Sequence, residues 1–150
     1  IDSVTLGSSA SSVTFSSISA VGKGDLVLVV DGTMDTRAGL KLQFNGDTND
    51  TNTFRTFMYG NGSGASAGTS GYSVGNLGTT SSSVITQIFD YAATDKHTSI
   101  LSRYNEPIAV AAVALRWANT AAINQIKVIS EFGAVFAVGC TFHIYQLVSE

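Results

Sequence analysis

Charge is scarce in this chain. Asp, Glu, Lys and Arg make up 13% of its 150 residues, about half the ~25% of an ordinary soluble domain. The balance is mildly acidic, with a net charge of −3, and no two of the eight basic residues are adjacent. Nucleic-acid phosphates are gripped by clustered Lys and Arg, so no nucleic-acid partner is expected. Cysteine occurs once. A single Cys140 excludes an intrachain disulfide and a cysteine-based zinc cluster. Its neighbours Val138, Gly139 and Phe142 are apolar or small, which predicts a buried hydrophobe and not a reactive thiol. No apolar run reaches the ~18 residues of a membrane span. The longest candidate is Ile108 to Leu115, so no membrane partner is expected either. No signal peptide is legible, but the chain begins at Ile1 and not at Met, so that absence carries little weight.

What replaces charge is Ser, Thr and Gly: 19, 16 and 15 residues, a third of the chain. Thr suits strands, while Gly and Ser suit the turns between them. Hydrophobic residues reach 44%, which disfavours disorder. The length fits one domain spanning residues 1–150. Leu40, Leu42 and Phe44 alternate with Lys41, Gln43 and Asn45, the period of a half-buried strand. Val13 and Phe15 alternate with Thr14 and Ser16. Asp25 to Val30 is nearly all apolar, as in a strand covered on both faces. Val84 to Ala92 and His97 to Tyr104 read as a hairpin. Ile108 to Ala118 is rich in alanine, which favours helix, yet it lacks a helical apolar stripe and is read as a strand. Pro107 suits the start of that strand, where no ladder donor is needed. Ile123 to Ser130 and Thr141 to Val148 complete a set of roughly eight to ten strands, an all-β antiparallel sandwich. Gly60 to Ser83, rich in Gly and Ser, is read as a long loop of the functional or mobile kind, partly docked through Tyr72, Val74 and Leu77, with Gly60 to Gly71 expected to be its most mobile part.

Catalytic motifs are missing. There is no phosphate-binding Gly-Lys-Ser/Thr loop. Asn61-Gly62-Ser63-Gly64 lacks the strand–turn–helix setting of a nucleophile elbow. His97 and His143 are far apart in sequence and are read as structural. The three glutamates, Glu106, Glu131 and Glu150, fall at turns or at the end of the chain, and Asp31, Asp35 and Asp90 are dispersed. Hydrolysis by paired carboxylates is therefore not expected, and the chain is read as a non-enzyme without cofactor. Asp47, Asn49 and Asp50 have the oxygen chemistry of a Ca²⁺ loop. Asx residues also build tight turns, and that is the expectation here, with no metal required.

Several pieces in order resemble a family. Leu42-Gln43-Phe44-Asn45-Gly46-Asp47-Thr48 is similar to the "RFNGDT" turn of small virion proteins from tailed bacteriophages. The Ser-rich strand Ser11 to Ile18, the apolar strand Leu26 to Val30, and Trp117 followed by Ala122-Ile123 fit the same pattern. So does the closing strand Thr141-Phe142-His143-Ile144-Tyr145-Gln146-Leu147, which resembles the family's "STFSLYGI". Thr51-Asn52-Thr53-Phe54 stands where the family has "NYS", and Gln146 where it tends to have Gly. The resemblance implies a jelly-roll-like sandwich on the phage particle and carries no active site. The expected function is capsid decoration: a homotrimer on the capsid surface that cements the major capsid protein. The alternative is a tail or fibre head module that recognises a host-surface glycan or protein. Interfaces are rich in aromatics, so Phe15, Phe136, Phe142 and Tyr145 are the expected interface residues.

Overall fold

A computed structural model describes residues 2–19 and 24–148. The strands are β1 (Asp2–Thr5), β2 (Ser12–Phe15), β3 (Gly24–Gly32), β4 (Ala38–Phe44), β5 (Thr53–Gly60) and β6 (Ala65–Gly68). They continue as β7 (Ser73–Leu77), β8 (Ser82–Ile88), β9 (Thr98–Glu106), β10 (Ala109–Trp117), β11 (Ile126–Ser130) and β12 (Thr141–Val148). The only helix among the described residues is a 3-10 turn, Asp50–Asn52. No helix among them is long and apolar enough to cross a membrane.

The strands form two antiparallel sheets. The larger runs β1-β12-β3-β8-β9-β10-β5-β6, and the smaller β2-β11-β4-β7. From β2 onward the chain passes repeatedly from one sheet to the other, as in a jelly roll. Within the larger sheet the meander β8-β9-β10 separates β3 from β5. The expected all-β, jelly-roll-like sandwich is thus observed, with twelve strands among the described residues where eight to ten are expected from the sequence.

Alternation decides which side chains meet between the sheets. Leu40, Leu42 and Phe44 of β4 point inward and are buried, while Lys41 and Gln43 are partly exposed. They meet Leu26, Leu28 and Val30 of β3, Val84 and Ile88 of β8, and Val113 and Leu115 of β10 in one core. Rings bridge the sheets, with Phe44 and Trp117 5.3 Å apart. Cys140 is buried in this core. The alanine-rich segment is strand β10, because its odd-numbered residues face inward and the sheet supplies partners on both sides.

Gly60 to Ser83 differs from the expected loop. It holds β6 and β7, and β7 is the buried edge of the smaller sheet. Its glycine serves packing: a Cβ at Gly75 would lie 2.8 Å from Val84 Cγ1 and 3.1 Å from Tyr104 Cδ1. Composition suggests a loop here because a small residue lets the sheets approach as readily as it frees a turn.

Candidate functional site

The Asn-Gly turn after β4 forms a closed polar cluster. Asn45 and Gly46 both have positive φ, 53° and 75°, and Asp47 N donates to Phe44 O at 2.8 Å. This is the hairpin-type turn that Asn-Gly favours. The Asn45 amide donates to Ala122 O and accepts from Asn124 N and Gln125 N. The Asp47 carboxylate accepts from Asn49 N, Asn52 Nδ2 and Trp117 Nε1, at 2.8–2.9 Å. The motifs behind the family resemblance, the Asn-Gly-Asp turn, Trp117 and Ala122, therefore meet in space. These hydrogen bonds, from Asn52 first and then Trp117 and Asn49, hold the Asp47 carboxyl below its usual range. Asn49 caps the 3-10 turn, and Asp50 is paired with Lys41. Each of the three calcium candidates is thus engaged by N–H donors or by a cation, and Asp47 shapes its turn. Among the described residues no three His, Cys, Asp or Glu side chains gather as a metal site.

The outward face of the larger sheet is the second feature. Opposed residues of antiparallel strands share a face. One row crosses the sheet through Ala67, Met58, Ala112, Arg103, Ile85, Val29 and His143. The next passes through Thr56, Ala114, Leu101, Gln87, Val27 and Tyr145. Met58 is 65% exposed, Val110 62%, Leu101 50% and Tyr145 49%. Tyr145 lies on this exposed face, stacked on His143 at 6.2 Å. Phe15, Phe136 and Phe142 are not. They are 1%, 0% and 0% exposed, and Phe136 and Phe142 pack edge to face, 5.0 Å apart. Their expected interface role is corrected to a core role. In a sandwich the more apolar face of a strand turns to the opposite sheet, so Phe142 and Ile144 go in while His143 and Tyr145 go out.

A cleft of about 820 Å³ lies beside β4 and β7, with walls from β5, the β9–β10 hairpin and the turn after β11. Arg37 and Glu106 form a two-pronged pair at 2.5 and 2.6 Å, with the Glu106 side chain only 1% exposed. This pairing raises the Arg37 pKa. With the Asn76 amide turned so that both its groups are satisfied, it accepts from Arg37 Nη2 at 3.0 Å and donates to Gly75 O at 3.1 Å. Arg55 sits 4.3 Å over the Phe57 ring and donates through Nη1 to Ser70 O. Its Nε is buried with no hydrogen-bond partner among the described residues, and burial lowers its pKa. The Glu131 carboxylate lies against Gly39, where an added Cβ would come within 2.1 Å of Oε2. Burial raises the Glu131 pKa against the opposing pull of Arg55 and Lys41. Burial likewise raises the Tyr104 pKa. Tyr59, Tyr72 and Phe132 line the same cleft.

Sequence reasoning missed this cleft because its residues come from distant strands and no spacing links them. It brings together Glu106 and Glu131. Asp50, paired with Lys41, also lines it, whereas Asp31 binds Ser83, Asp35 accepts from Val135 N, and Asp90 pairs with Lys96. Glu150 lies outside the described residues. No family model and no curated protein matches the chain.

Proposed function

We propose that this protein is a structural subunit of a tailed-phage virion, a homotrimeric decoration protein on the capsid surface that cements the major capsid protein. The supporting observation is the exposed apolar face of the larger sheet. Met58, Ala67, Val110 and Ala112 form one apolar patch, with Leu101 and Tyr145 exposed further along the same face, a surface of the kind that marks an interaction site. Edge strand β6 reads Ala-Ser-Ala-Gly. It carries none of the charges or prolines that usually block edge pairing. Closure into a three-fold ring would cover such a face and leave no free self-complementary edge. A bound trimer would stabilise the shell by mass action, in proportion to its affinity and concentration. The role needs no catalytic residue and no cofactor. Glu106 is held by Arg37, so it is not a free second carboxylate for Glu131 to act with.

Two measurements test the proposal. Sedimentation of the purified protein should give a trimer, and Met58→Glu, which buries a charge in the interface, should give monomers that remain folded. Phage heads with the protein should survive heat that opens heads without it, and labelled protein should cover the capsid in micrographs. Label confined to the tail, with heads equally robust in its absence, would overturn the capsid assignment. The second reading, a tail or fibre head module, would then gain ground, because the aromatic-lined cleft is the kind of site a receptor glycan would occupy.

A further inference from the structure

We infer that the cleft beside β4 and β7 is a binding site for a neutral saccharide, with Phe132 as its stacking platform. The inference rests on neither placement of the protein on the virion. It starts from Phe132. This residue is 92% exposed and has φ 58°, a backbone region in which a bulky side chain is a genuine outlier. The ring stabilises no core and sits in a strained turn at the cleft mouth. A side chain that burdens the fold in this way is explained by what it binds. Tyr59 and Tyr72 add further ring surface to the same cleft.

The polar groups define the ligand. Each cation at the cleft faces a carboxylate: Arg37 is bonded to Glu106, Lys41 to Asp50, and Arg55 lies within the field of Glu131. The site is charge-balanced, so an anionic ligand gains no net attraction there. What remains open is hydrogen-bonding capacity. The Glu131 carboxylate accepts, and the Arg55 guanidinium, whose Nε has no partner among the described residues, donates. Donors and acceptors interleaved around aromatic faces suit the hydroxyls and C–H faces of a sugar ring. A cleft of about 820 Å³ falls within the ~300–1,000 Å³ of small-molecule sites.

The test uses the whole chain on an array of neutral hexose and N-acetylhexosamine oligosaccharides, beside sialylated and uronate-containing ones. Hits are followed by titration calorimetry. A neutral oligosaccharide should bind. Phe132→Asn and Tyr72→Ala should each weaken it by about tenfold or more, the scale of a lost aromatic platform. Phe132→Asn should melt no lower than the parent protein, because Asn accepts the left-handed turn. Binding of acidic glycans alone, binding of none, or an affinity unchanged in Phe132→Asn would overturn the inference. Heads stabilised by a protein that binds no neutral glycan would count against the cleft alone. Glycan binding without head stabilisation would count against the capsid proposal alone.

Discussion

Two polar clusters in this domain are built on opposite terms. At the Asn-Gly turn, Asn45 makes three hydrogen bonds with backbone 77 to 80 residues away in sequence, and Asp47 accepts three more. At the cleft, Arg55 Nε has no partner among the described residues, Glu131 is desolvated, and Phe132 is strained and exposed. The first arrangement spends its polar groups on holding the sandwich together. The second keeps some in reserve. Satisfied buried networks rigidify a fold, whereas unsatisfied ones lower its stability. Substitutions should therefore injure the first cluster and be tolerated in the second.

The largest effect should come from Trp117→Ala. It removes a ring packed on Phe44 and strips Asp47 of a donor, and should cost about 3–5 kcal/mol in chemical denaturation. Leu42→Ala, a buried truncation beside the same turn, should cost about 2–5 kcal/mol. Asp47→Asn should cost about 1–3 kcal/mol at pH 7, because its charge-assisted bonds are weakened. The Asp47 effect has a defined pH dependence. A carboxyl whose folded pKa is depressed contributes fully above its unfolded value of about 3.9. The contribution is lost as pH falls through the lower folded value. Melting curves of parent and Asp47→Asn should therefore converge in acid. Equal gaps at pH 7 and in strong acid would show that the carboxylate charge is not what holds the turn.

The cleft should answer with the opposite sign. Glu131 is pushed up by burial, so its charged form opposes folding above its raised pKa, and that penalty is relieved as pH falls through it. Glu131→Gln should leave stability at pH 7 unchanged or raise it by less than about 1 kcal/mol. Phe132→Asn should stabilise by about 1 kcal/mol through release of backbone strain. A loss as large as that of Asp47→Asn in either variant would erase the contrast between the clusters. The smallest effect expected is none: millimolar Ca²⁺ should not move the melting temperature. A rise of several degrees that Asp47→Ala removes would show that the turn binds metal.

Much of the fold was legible in local pattern. The two-residue period of Leu40, Leu42 and Phe44 gave the inward face of β4, and Val110, Val113 and Trp117, which form no helical stripe, argued for strand β10 despite its alanines. The pattern misled where composition stood in for geometry. Gly75 reads as loop, yet it is small because Val84 and Tyr104 press on it. Phe15, Phe136 and Phe142 read as sticky ends, yet in a sandwich the second sheet claims them. The cleft had no sequence signal, since Arg37, Arg55, Glu106 and Glu131 meet only through pairings between distant strands.

The pairing of the first strands with the last has a consequence for synthesis. β1 pairs with β12 and β2 with β11, and Asp31 of β3 waits for Thr141, 110 residues later. At ribosomal speeds of about 5–20 residues per second, the apolar strand β3 stays without its β12 neighbour for roughly 5 to 20 seconds. The smaller sheet is complete only once β11 has been made and the larger only once β12 has, and topologies with such distant partners fold slowly. Incomplete chains would keep sticky strands exposed and be removed by chaperones and proteases. The topology thus acts as a length check, since only chains translated through β12 can complete both sheets.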